Sequence, residues 1–188
     1  MATDSVTLTV TARTFDEGLH VTYALTNAGP HTIVAYDGAA GLGEGEYPDL
    51  TGQCYVSYTG QEVARILRIR PPAHPTKETT RTFMPAASEI PPGETRHVQF
   101  RLPLPLKERS EFSPDFSGAR YEKHRCLWLE LRIGHFLKTP DTVLKPYDRP
   151  NVWQVVKGAS LAETRQVGTT TAAAFDLLVR TDPGFIRM

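Results

Sequence analysis

His124, Cys126 and Trp128 stand at alternate positions of one largely apolar stretch, a spacing at which side chains of an extended backbone share a face. An imidazole and a thiol so placed reach a single metal ion, and both are ligand types that zinc takes. They fill only half of a tetrahedral site. The other residues of suitable type, Cys54, His97 and His135, have no spacing that ties them to this pair. The sequence therefore assigns no metal and no cofactor, and the plainer expectation is a packed thiol beside a partly buried histidine.

Other chemistry is thinner. Gly41, Gly43 and Gly45 have neither the dinucleotide spacing nor the Gly-Lys-Ser/Thr ending of a phosphate loop, and they read as a flexible segment. There is no Gly-x-Ser-x-Gly elbow, and neither cysteine carries a signature that pairs it with a base. Glu44, Glu46, Asp49, Glu108, Glu111 and Asp115 supply carboxylates expected to lie solvated on loops. No catalytic residue is nominated, which turns the reading away from an enzyme.

Binding is better served. Trp128, Glu130 and Arg132 alternate along the same stretch, and tryptophan and arginine are the side chains that concentrate energy at protein interfaces. Trp128, Arg132 and His124 are thus the candidate binding residues. The competing expectation is that further strands, or the polar segment 107–125, cover that face.

Composition narrows the partners. The chain has 188 residues, 40% hydrophobic and 22% charged, enough for one domain with a core of its own, and residues 1–188 are read as that single domain. Lys plus Arg and Asp plus Glu are both 21, so no net field draws in nucleic acid or anionic lipid. Arg65, Arg68 and Arg70 are expected on a solvated strand face. No basic leader and no apolar run long enough for a membrane helix is present, and two cysteines are too few for a disulfide framework. Free thiols in a reducing cytoplasm are the expectation.

The elements that must position these residues are strands. Val6, Leu8, Val10 and Ala12 alternate with polar residues, the turn Asp16-Glu17-Gly18 follows, and Leu19, Val21, Tyr23 and Leu25 resume the alternation, which predicts a hairpin. Further strands are expected at 31–36, 54–59, 63–70, 79–83, 95–102, 127–133, 152–156, 162–167 and 172–180, with long loops at 37–52 and 107–125. Leu127, Leu129, Leu131 and Ile133 are predicted to face the core of a central strand, with Cys126 on the opposite side. Pro103 and Pro105 place the end of 95–102 at a sheet edge or outside the sheet. The fold class is all-β: an antiparallel β-sandwich, with a closed β-barrel as the alternative.

The opening strand, the stretch Tyr23-Ala24-Leu25-Thr26-Asn27-Ala28-Gly29-Pro30 and the turn Ile90-Pro91-Pro92-Gly93-Glu94 before an alternating strand resemble immunoglobulin-like sandwiches of bacterial proteins. The resemblance covers about the first hundred residues plus the Leu127 strand and implies a fold, not an activity. The expected function is a non-catalytic protein-binding or structural module, acting on a protein partner or on itself. The alternative is a metal or small-ligand binder or enzyme whose site lies among the long loops and contains His or Cys in a deep pocket.

Overall fold

A computed structural model of the chain describes residues 5–38, 54–69, 86–110, 118–147, 151–183 and 185. The fold is all-β, in two sheets, mostly antiparallel and not closed into a barrel. The predicted first hairpin is present: β1 (Val6–Phe15) pairs antiparallel with β2 (Gly18–Asn27), with Gly18 of the expected turn already paired to Phe15. Asp16 and Glu17 both have positive φ, 44° and 55°, the two-residue turn whose twist matches that of the strands. β7 (Thr95–Pro103) lies on the far side of β2 and completes a three-stranded sheet in the order β1-β2-β7.

The larger sheet is built on β9 (Tyr121–Leu137) and β12 (Arg165–Arg180), antiparallel along most of their length. β9 is bonded on both edges, as expected of the central strand. Its second edge is divided between β5 (Val63–Arg68), parallel beside Trp128–Ile133, and β3 (Ile33–Gly38), antiparallel beside His135–Leu137. The changeover falls at Gly134, where a Cβ would stand 3.1 Å from the Tyr36 ring and 3.3 Å from the Ile69 Cα. The strands expected at 54–59 and 63–70 form a hairpin, β4 (Tyr55–Tyr58) with β5. β6 (Ala86–Ile90), β10 (Val143–Pro146) and β11 (Trp153–Lys157) extend the sheet beyond β3. After Pro103 the chain leaves the small sheet, and β8 (Leu106–Lys107) joins the far edge of the large one beside β12, as the prolines required.

The main core lies between the sheets: Leu19, Val21, Tyr23 and Leu25 of β2 and Phe100 and Leu102 of β7 join one buried cluster with Leu129, Leu131 and Ile133 of β9 and Phe175 and Leu177 of β12. Each such side chain contributes about 1.5–3 kcal/mol on leaving water.

The turns that carried the family resemblance meet at Asn27. Its buried Nδ2 donates to the His31 and Ile90 carbonyls, both at 2.9 Å, and its Oδ1 accepts the Gly29 N–H. Its backbone bonds Gly93 and Glu94 across the turn in which Gly93 takes φ 76°.

Five expectations are corrected. Segments 162–167 and 172–180 are one strand, β12, and 107–125 contributes β8 and the start of β9. Arg68 is not solvated: it is 1% exposed between the sheets, its guanidinium 3.9 Å from the Phe100 ring centroid, which holds a cation through the ring quadrupole. Glu108 is no loop carboxylate in water; it is buried and accepts the N–H groups of Tyr58 and Arg180 at 2.9 and 2.8 Å. Finally, Cys126 faces the core rather than away from the leucines, and Leu127 faces water. The strand expected at 79–83, Arg70, the glycines Gly41, Gly43 and Gly45, and the carboxylates Glu44, Glu46, Asp49, Glu111 and Asp115 lie outside the described residues.

Candidate functional site

The inversion at Cys126 has a local cause. The N–H groups of Leu127 and Trp128 both donate to the Glu62 carbonyl, at 2.9 and 3.2 Å, so two successive residues of β9 answer one residue of the neighbouring chain. That is a β-bulge. On the other edge the pairing steps from Cys126 with Phe175 to Trp128 with Ala172. Alternation therefore breaks: Cys126 and Leu129 are both buried, and Leu127 and Trp128 stand 41% and 46% exposed between them.

Below Trp128 the outward side chains form an ion-paired row. Glu130 lies opposite Arg65 of β5, whose Nε is 2.7 Å from Oε2, and Arg132 Nε is 2.6 Å from Oε1. Burial alone would raise the Glu130 carboxyl, but the hydrogen bonds and charges of the two arginines hold it below the ordinary carboxylate value. The carboxylate is ionised and fixes both guanidinium groups in place. Small residues of β12 border the row: Ala172, Thr170 and Gly168 are the cross-strand neighbours of Trp128, Glu130 and Arg132. A Cβ on Gly168 would come within 3.0 Å of Arg132 Cγ, so the glycine leaves room for the arginine stem. The result is a shelf with Leu127 and Trp128 at one end, guanidinium groups at the other and no tall side chain on the β12 side.

Trp128 and Arg132 thus share one surface, as expected, but His124 does not belong to it. It lies before the bulge, opposite the buried Leu177, on the side of the strand where Cys126 points inward. Its ring packs at 4.7 Å on Tyr58, and its Nε2 is 3.8 Å from a Glu122 carboxylate oxygen. The bulge separates the imidazole from the indole that period-two spacing puts beside it. Arg65 and Leu127 are the members of the surface that sequence reasoning missed; the signal was the adjacent pair Leu127-Trp128, which period-two alternation cannot bury on one face.

The thiols offer little chemistry. Cys126 and Cys54 are buried and not joined in a disulfide, and desolvation pushes each up to about 11, so both are protonated near neutrality. Among the described residues no group of three or more His, Cys, Asp and Glu side chains comes together as a metal site. A cleft of about 560 Å³ opens beside Phe136, with Asp141, Lys157, Glu163 and Arg165 on its walls and neither His nor Cys among its lining residues. Glu163 is engaged there by the Ser160 hydroxyl and N–H, both at 2.8 Å. No helix among the described residues is long and apolar enough to cross a membrane.

No family's sequence profile matches this chain, and comparison with curated proteins and with solved structures found no match.

Proposed function

We propose that this chain is a non-catalytic module that binds another protein through the shelf around Trp128. The observation that carries the reading is the bulge on the Glu62 carbonyl, which turns Leu127 and Trp128 together into water beside a pre-ordered Arg65–Glu130–Arg132 row. An indole rimmed by fixed guanidinium groups suits a partner with an apolar anchor next to a carboxylate. Nothing in that arrangement moves a proton or holds a reacting atom.

The immunoglobulin-like character of the sheets is part of the same proposal, supported by the way Asn27 joins the two turns that carried the resemblance. A cytoplasmic setting fits two buried cysteines that are not joined in a disulfide.

The test compares proteins captured from a native lysate by the immobilised wild type, by Trp128→Ala and by Glu163→Gln, with folding of each checked by circular dichroism. The expected result is a specific protein retained by the wild type and by Glu163→Gln but lost with Trp128→Ala, a truncation that costs about 2 kcal/mol or more at an interface anchor. Identical capture by Trp128→Ala and wild type overturns the reading.

A further inference from the structure

We propose that the cleft beside Phe136 binds a free α-amino acid with an apolar side chain, its ammonium held by Asp141 and its carboxylate by Lys157. The cleft shares no lining residue with the Trp128 shelf, and the inference does not depend on the proposed function.

Three strand ends and two turns build it. β9 ends in Phe136 and Leu137, and the chain turns at 139–142 into β10. β11 ends in Lys157, and a loop through Ala159 and Ala162 leads to Arg165 at the start of β12. Gly158 stands where a Cβ would come within 2.9 Å of Phe136 Cζ and 2.8 Å of Val155 Cγ1, so the missing side chain lets the loop backbone lie close against the ring.

Both turns are tied internally. Thr142 donates its N–H to the Thr139 carbonyl, and its Oγ1 accepts the Thr139 N–H, each at 3.0 Å. In the turn at 160–164 the Ser160 carbonyl accepts the Thr164 N–H and hydroxyl at 3.1 and 3.0 Å, while Glu163 accepts the Ser160 N–H and hydroxyl. A volume of about 560 Å³ lies within the ordinary range of small-ligand sites, about 300–1,000 Å³, and walls already braced leave little to order on binding.

The charges decide which ligand. Lys157 Nζ and Asp141 Oδ1 are 4.0 Å apart, too far for a hydrogen bond, both side chains are exposed, and among the described residues neither has another ionic partner. An α-amino acid carries ammonium and carboxylate on one carbon, so a single head group reaches both neighbours through charge-assisted hydrogen bonds. Arg165 and Glu163 add one further charge of each sign to the lining. A dianion there meets two carboxylates and a dication meets two cations, whereas a zwitterion has both of its charges answered. Phe136, Leu137, Ala159 and Ala162 supply apolar surface for the side chain on the same carbon. A peptide separates its terminal charges and does not fit this pair.

Amide NMR of the whole chain, titrated with L-leucine and with L-phenylalanine, tests the assignment. At least one of them is expected to shift the Leu137, Gly158 and Ala162 amides with a dissociation constant of about 1 mM or below, leaving Leu127 and Trp128 in place. The carboxamide of that amino acid lacks the carboxylate and its N-acetyl form lacks the ammonium; each should bind at least ~10-fold more weakly. Lys157→Gln and Asp141→Asn, exposed replacements compatible with the fold, should weaken the parent amino acid by the same factor. Ala162→Trp fills the cleft from an exposed position and should abolish the shifts, while Trp128→Ala keeps them. Cleft amides unmoved by either amino acid at ~10 mM overturn the proposal. Equal binding of the carboxamide or N-acetyl form overturns it too, because the charges are then not read, and undiminished binding to Ala162→Trp does so by placing the site elsewhere.

Discussion

Glu62 donates no side chain to the Trp128 surface, yet its carbonyl, 3.2 Å from the Trp128 N–H, sets which way the indole faces. It can do so because Gln61 and Glu62 are held at φ 50° and 60°, left-handed values that non-glycine residues take at a cost of about 1–2 kcal/mol each.

The turn therefore responds to backbone substitutions. Glu62→Gly removes the strain and is expected to raise stability by up to about 1 kcal/mol, with Trp128 keeping its emission maximum. Glu62→Pro forces φ near −65°, which this turn cannot accommodate; stability falls by more than about 2 kcal/mol and the emission maximum moves. Urea unfolding followed by tryptophan fluorescence reads both, and an unaltered Glu62→Pro protein would mean that the turn does not position the bulge.

Glu130 gives a pH signature. Its folded pKa is held below the unfolded value, so its contribution is present above the unfolded value of about 4.3 and is lost as pH falls through the folded one. Near neutrality Glu130→Gln should be less stable than wild type by about 1 kcal/mol, the modest figure reflecting solvent screening of a partly exposed pair. The difference in urea midpoints should close in acid. A gap that stays constant down through that range counts against the paired row.

Asn27→Ala leaves the Ile90 carbonyl without its side-chain donor inside the protein and removes the other two side-chain bonds. The expected loss is about 2–4 kcal/mol, and Asn27→Asp, which supplies no donor when ionised, should not recover it. Chemical denaturation measures both, and a cost below about 0.5 kcal/mol would show that the two turns hold together without the amide.

Both thiols should be silent in the native protein. With Cys54 and Cys126 buried and each pushed up to about 11, a disulfide reagent at neutral pH is expected to label neither until denaturant is added. Rapid native labelling of Cys126 would place it outside the core.

Much of the scaffold was legible because strand period is a strong signal wherever one face is dry. Val6 to Ala12 and Leu19 to Leu25 show it on either side of the turn, and the two segments pair as the predicted hairpin. Ala86–Ile90 gave no such signal: its small, polar side chains have low strand propensity, and it is extended because β3 and β11 pair with it on either side. The alanines 172–174 favour a helix by propensity, but Phe175, Leu177 and Val179 alternate, and the long edge of β9 carries the pairing past the bulge. The candidate surface was half legible. Trp128 and Arg132 share a face through ordinary alternation, whereas the exclusion of His124 depends on a carbonyl more than sixty residues earlier in sequence, an interaction that no local pattern encodes.

The central strand β9 is the common neighbour of β3, β5 and β12, and it supplies Leu129, Leu131 and Ile133 to the cluster shared with the small sheet. Detaching it would strand three partners at once and open the interior, so neither half of the large sheet has an independent way to melt. Heat or denaturant should accordingly take these strands apart in one concerted step rather than peel them away in turn.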